Sequence, residues 1–251
     1  FGNKRKLLHA AGCGTYSQRK RINNQPHNKK IKKKKGYFHI LTKHFIDFSS
    51  VYTFAETNLS YIIEFNNQIN RKVVVPKELV LDENLAWILG VRGDRNDSSG
   101  SLGLCNTNIN VIKSFKEKLG CYGFPVTVQI RHKDISKITS KFVDLAAETL
   151  GVKNVKKYGM SEKSKDYRKC GYVIRITNSI FYRAIKFIEE KLGHFLVNST
   201  KSVQYAFIAG MIDSEGSIDK RNKVLYFSNF SDHNLAALLT RILILIGFSQ
   251  P

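Results

Sequence analysis

Apolar and polar side chains alternate between residues 37 and 75. Tyr61-Ile62-Ile63-Glu64-Phe65 and Lys72-Val73-Val74-Val75 read as strands, because a period of two puts one set of side chains on one face. The pattern changes at Pro76. Asp82 then precedes an apolar run, Leu85-Ala86-Trp87-Ile88-Leu89-Gly90, and its short carboxylate suits the unpaired amides of a first helical turn. The spacing predicts further strands over 126–131 and 172–177, and helices over 142–150 and 179–192. Residues 198–202 read as a connection, and the polar, charged stretch 133–169 as an insertion between two strands.

The chain also repeats itself. Residues 85–124 and 205–248 match in order: Ala86 with Ala206, Gly90 with Gly210, an acidic Gly- and Ser-containing turn in each, and a short strand ending at Asn106 or Asn229. An amphipathic helix follows, carrying Ile109, Ile112, Phe115 and Leu119 in one copy and Leu235, Leu238, Leu239 and Ile242 in the other. Both copies close on Gly-Phe, at Gly123-Phe124 and Gly247-Phe248. So many matches in the same order imply a tandem duplication. Each unit is expected to run helix, two strands, helix, two strands, helix. The expected fold is α+β and pseudo-twofold, with antiparallel sheets. The expected division is a basic N-terminal region over 1–75, a first repeat over 76–200 and an incomplete second repeat over 201–251.

Charge narrows the partner. Lys plus Arg is 41 against 20 Asp plus Glu, a formal charge of +21. An excess of that size argues for a polyanion, with nucleic acid the natural one. Up to Lys35 there are 12 Lys or Arg and no acid, which suits a tail or an arm that orders on phosphate. There is no run of about 18 apolar residues to span a membrane and no apolar signal segment. The four cysteines, Cys13, Cys105, Cys121 and Cys170, have no metal-site spacing and fit a reducing, intracellular compartment. A start at Phe1 and an end just after an apolar helix suggest a piece of a longer protein.

The candidate chemistry lies where each repeat's first helix ends. Ala86 with Gly90, and Ala206 with Gly210, put small residues four apart, so two helix backbones can approach closely there. That contact would bring two acidic turns together. Paired carboxylates on a basic protein suit Mg²⁺, which takes few protein oxygens and keeps its remaining positions for water and phosphate.

Residues 208–216, IAGMIDSEG, resemble the LAGLIDADG motif of homing endonucleases, and residues 86–94, AWILGVRGD, resemble the variant first motif of two-motif members. The similarity covers roughly residues 80–248. It implies a monomer whose antiparallel sheets form saddles on a long double-stranded DNA site, cleaving with Mg²⁺ or Mn²⁺. It also implies one metal-binding acid per motif, Glu215 in the second and Asp94 in the first. Gly90 aligned with Gly210 without a gap sets Asp94 against Ser214; one deletion in the first copy sets it against Glu215. The Gly93-Asp94 ending favours Asp94, although Arg95 stands where the family has glycine, and Asp97 is a nearby competitor. Asp213 falls at an earlier, structural position. Basic residues that position water or phosphate are sought at Arg175, Lys186 and Lys201. DNA contacts are expected from Thr127, Gln129, Arg131 and Arg175 on the sheet and from Lys220, Arg221 and Lys223. The alternatives are a non-cutting relative that binds intron RNA or regulates transcription, and the endonuclease part of an intein.

Overall fold

The computed structural model describes residues 31–66, 72–94, 97–98, 100–159, 171–219, 221, 224–227 and 233–247. Its strands are β1 (Ile31–Lys34), β2 (Tyr37–Leu41), β3 (Val51–Glu56), β4 (Ser60–Phe65), β5 (Lys72–Pro76), β6 (Glu78–Val80), β7 (Ser101–Asn106), β8 (Val126–His132), β9 (Val155–Gly159), β10 (Gly171–Thr177), β11 (Gly216–Asp219) and β12 (Val224–Phe227). Its helices are α1 (Glu83–Gly90), α2 (Ile109–Gly120), α3 (Ser140–Leu150), α4 (Ser179–Glu190), α5 (Leu192–Val197), α6 (Lys201–Glu215) and α7 (His233–Ile246). The fold is α+β. None of these helices is long and apolar enough to cross a membrane.

The chain forms two compact units. One comprises the residues up to Leu81 together with Asn178–Glu190, and the other comprises Asp82–Thr177 with Lys191 onward. The first boundary falls at Leu81 rather than at 75, because β6 pairs back onto β2. The helix expected at the end of the first repeat also joins the N-terminal unit. The reason is its apolar face: Ile180, Phe181, Ala184, Ile185 and Ile188 recur at helical spacing and are all buried. Phe187 packs on Phe45 with ring centroids 5.4 Å apart, and the Asn178 side-chain amide donates to Val74 O at 3.2 Å.

In that N-terminal unit β1-β2-β6 and β3-β4-β5 make two three-stranded antiparallel sheets. The β1–β2 turn is two residues, Lys35 and Gly36, with φ of 50° and 84°. Both lie in the left-handed region that a tight hairpin of this hand needs, which Gly36 adopts without a Cβ penalty.

The second unit is built on a four-stranded sheet of order β7-β10-β8-β9. Its even-numbered positions form the core: Leu102 and Leu104, Val128 and Ile130, Ile174 and Ile176 are all buried. Helix α2 supplies Val111, Ile112, Phe115 and Leu119 to the interior, and α3 supplies Ala146 and Leu150. Two expectations change here. The 133–169 insertion holds α3 and β9, and β9 joins the sheet parallel to β8 through an α-helical crossover, so the sheet is not wholly antiparallel. Between α1 and α2 the described residues contain one strand, β7, and an isolated Ser98–Ser101 bridge rather than two strands. In the second repeat β11 and β12 form the expected hairpin between α6 and α7.

Candidate functional site

The site starts at the first helix of each repeat, α1 and α6. The Asp82 carboxylate caps α1, accepting from Leu85 N at 2.9 Å, and Leu85 through Gly90 are all buried. Thr200 caps α6 by accepting from Val203 N. The two helices pack side by side. A Cβ added at Gly90 would collide with the carbonyl oxygen of Phe207 and lie 3.0 Å from Met211 N. A Cβ added at Gly210 would collide with the carbonyl oxygen of Trp87 and lie 2.9 Å from Val91 N. The contacts are reciprocal: 90 meets 207 and 211, and 210 meets 87 and 91. That is the signature of a pseudo-twofold axis. At the other end of the pair, the Ser202 hydroxyl donates to Glu83 Oε1. Glu83 and Ser202 both begin their helices, so α1 and α6 run in the same direction. Both acidic turns therefore leave from the same end of the pair.

The two helices do not end alike. Helix α6 stays α-helical to Glu215, whereas α1 stops at Gly90 and Val91–Asp94 is a 3₁₀ turn. A 3₁₀ residue rises about 2.0 Å and an α residue about 1.5 Å. Four residues from Val91 to Asp94 thus advance about 8 Å, and five from Met211 to Glu215 about 7.5 Å. The missing residue of the first motif is made up by tighter winding. By ideal rise alone the two segments are of nearly equal length, which suits the alignment of Asp94 with Glu215. The side chains of both acids, and Lys220 and Lys223, lie outside the described residues. Gly216 follows Glu215 as the chain folds back into β11, and a Cβ there would be 2.7 Å from Ile212 O.

Around these turns the side chains are fixed. Arg92 is buried and grips Asp97 through both guanidinium nitrogens, at 3.1 and 2.5 Å. Asp97 Oδ1 also accepts from Gly103 N at 3.1 Å. Both oxygens of Asp97 accept hydrogen bonds, so Asp97 braces the first turn. Trp87 Nε1–H donates to Asp213 Oδ2 at 2.8 Å, tying the first helix to the second acidic turn. Asp213 thus has a structural partner. Among the described residues no group of three His, Cys, Asp or Glu is arranged to hold a metal.

The basic candidates separate. Lys201 is the first residue of α6, about 21 Å along the axis from Glu215, so it is not a catalytic lysine of that junction. Lys186 belongs to the N-terminal unit, where it pairs with Glu189 at 3.0 Å and lies over the Tyr182 ring. Arg221 is exposed in the turn after β11. Thr127, Gln129, Arg131 and Arg175 do share one face of the β7-β10-β8-β9 sheet, opposite the core face. Arg175 pairs across the ladder with Gly103, beside the Asp97 brace. Burial, then repulsion from Arg131, push the Arg175 guanidinium below its ordinary value, so like charges are crowded on this face.

Sequence reading missed two members of that face. Strand β9 sets Lys156 beside Gln129 and Tyr158 beside Arg131, and the Arg131 guanidinium lies 5.7 Å from the Tyr158 ring centroid. The alternation in Val155–Gly159 is short, and only the parallel pairing gives it a place.

No family model and no curated protein matches the chain. Among solved structures, the fold is similar to that of the homing endonuclease I-DmoI. I-DmoI in complex with DNA and manganese has a TM-score of 0.40 at 18% identity, over 66% of this chain and 79% of that one. Its mesophilic variants give 0.36 at 18%, over 66% and 78%. The complex with DNA and calcium gives 0.36 at 18%, over 66% and 73%. A likeness of this size leaves the chemistry to be judged on the chain's own residues.

Proposed function

We propose that the chain is a site-specific double-strand DNA endonuclease of the LAGLIDADG type, acting as a monomer at the end of the α1–α6 pair. The observation that carries this reading is the reciprocal backbone contact of Gly90 and Gly210, which sends two acidic turns out of the same end of two parallel helices. The donor set there is a pair of carboxylates, Asp94 and Glu215, one from each turn. That is a hard, oxygen-only and sparse set, which fits Mg²⁺ or Mn²⁺. When bound, such a cation neutralises charge on a scissile phosphate and lowers the pKa of a bound water.

The chain's own residues have separable tasks. The carbonyl ends of α1 and α6 lie at the site and are negative, as are the two acids, so by themselves they turn a phosphate away. This makes the position one for a cation rather than for direct phosphate binding. The Arg92–Asp97 pair keeps the first turn in register, and Trp87 holds the second through Asp213. Thr127, Gln129, Arg131 and Arg175, with Lys156 and Tyr158, present donors and positive charge along one sheet face, which suits base edges and phosphates of a duplex. I-DmoI, which has been captured with DNA and manganese, is consistent with this reading.

The test is cleavage of a random-site duplex library by the wild-type chain, Asp94→Asn and Glu215→Gln, with Mg²⁺ and with EDTA. Discrete cuts that need Mg²⁺ and vanish in both variants are expected. Sequence-selective binding without cuts would replace the nuclease by a non-cleaving binder.

A further inference from the structure

The N-terminal unit contains a cavity of about 380 Å³ that the nuclease reading does not use. Lys32, Leu41, Lys43, His44, Tyr61, Lys77 and Glu78 line it. Three lysines against Glu78 and the Glu56 that pairs with Lys77 leave a surplus of one positive charge before His44 is considered. The cations are held in place. The Lys43 ammonium lies 5.9 Å from the centroids of both Phe54 and Tyr61, and the Lys77 ammonium lies 5.7 Å from Tyr61. Phe54 and Tyr61 are themselves stacked at 5.4 Å.

The carboxylates nearby are already engaged. Glu78 accepts from His39 at 3.0 Å and is 4.0 Å from Lys32, and Glu56 pairs with Lys77 at 2.7 Å. Among the described residues Lys43 has no ion-pair partner, so it supplies the uncompensated charge. Desolvation, then Glu56 and Glu78, push the Tyr61 phenol up, so the aromatic floor stays neutral. From the rim, β1 continues as Lys32-Lys33-Lys34, with Lys35 in the turn. Lys32 and Lys34 lie on one side of the strand, about 6.6 Å apart at the usual rise of 3.3 Å per residue. A row of this kind suits successive phosphates of a polynucleotide better than one free anion.

We propose that the cavity of Lys32, Lys43 and Lys77 over Tyr61 is a phosphate site of the N-terminal unit, through which that unit holds the DNA backbone independently of the α1–α6 junction. The proposal builds on the nuclease reading only in taking DNA as the polyanion. Phosphate contacts of this kind supply affinity without sequence information.

The experiment measures binding of the full chain to a fluorescein-labelled 40-base-pair duplex of random sequence, by anisotropy in EDTA from 50 to 200 mM KCl. The variants are Lys43→Gln, the double Lys32→Gln/Lys43→Gln, and the arginine double Lys32→Arg/Lys43→Arg. Each phosphate contact contributes about 0.9 to the slope of log K against log salt, so the glutamine double should flatten it by about 1.8. Over that fourfold salt range the wild type should lose about 12-fold more affinity than the double variant. Lys43→Gln alone should flatten the slope by about 0.9, and the arginine double should keep the wild-type slope. An unchanged slope in glutamine variants that melt normally and still cleave with Mg²⁺ overturns this proposal and leaves the nuclease intact. Salt-independent binding by the wild type overturns both.

Discussion

The backbone contact between α1 and α6 can be tested by adding a single methyl group. In Gly90→Ala the new Cβ meets the carbonyl oxygen of Phe207 and the amide of Met211, and in Gly210→Ala it meets those of Trp87 and Val91. These are main-chain atoms of the facing helix, so no rotamer change relieves the clash and the helices have to separate. Overpacking a core costs about 1 to 3 kcal/mol, and a rigid obstacle puts this case near 3. Alanine returns about 1 kcal/mol of helix propensity over glycine. The net loss is about 2 kcal/mol, a fall of about 4 to 8 °C in the melting temperature of a chain this size. The double Gly90→Ala/Gly210→Ala should cost less than the two singles combined, because the helices part only once. Gly120→Ala is the control, since nothing lies within 4 Å of a Cβ there. The assay is thermal melting followed by circular dichroism, with DNA cleavage in parallel. A Gly90→Ala or Gly210→Ala protein that melts at or above the wild-type temperature would refute the packing described here.

Three further outcomes follow from the side chains around the site. Asp97→Asn breaks a buried ion pair and should cost about 3 kcal/mol in urea melts, whereas Arg92→Met/Asp97→Leu should cost less because no charge is left alone; equal losses would count against the pair. Trp87→Phe removes the donor to Asp213 and should cost about 1.5 kcal/mol in the same melts, and a neutral result would mean that the bond does not hold the second turn. The Ser136 hydroxyl, then its amide, hold the Asp134 carboxyl below its ordinary 3.8. A depressed folded value favours the folded chain above pH 3.8, and the effect is lost as pH falls through that lower value. In a carboxyl ¹³C titration Ser136→Ala should move Asp134 back up toward 3.8, and an unmoved titration would reject Ser136 as the cause.

Local patterns were legible where a single residue type has a single physical use. Asp82 caps α1 as its position before an apolar run implies, and the strands at 61–65 and 72–75 form because alternation leaves one side of each for the core. The grouping of Thr127, Gln129 and Arg131 follows from period two alone. Lys201 misled because closeness in sequence to a motif says nothing about which end of a 15-residue helix a side chain occupies. Asp97 looked like a spare acid because its partner Arg92 points to it only once the 3₁₀ turn is formed.

By itself the sequence determined the duplication, the small residues at 86, 90, 206 and 210, the net positive charge and the acids that end each motif. These are properties of composition and spacing, and they survive without coordinates. Tertiary structure alone decided that α1 and α6 run parallel with Gly90 and Gly210 in reciprocal contact, and that the first motif ends in a 3₁₀ turn where the second stays α-helical to Glu215. It also decided that β9 adds Lys156 and Tyr158 to the basic face, and that α4 serves the N-terminal unit. The division has one physical cause. Caps and alternation are set by neighbours in the chain, whereas direction and partnership are set by backbone and side-chain contacts between residues far apart in it.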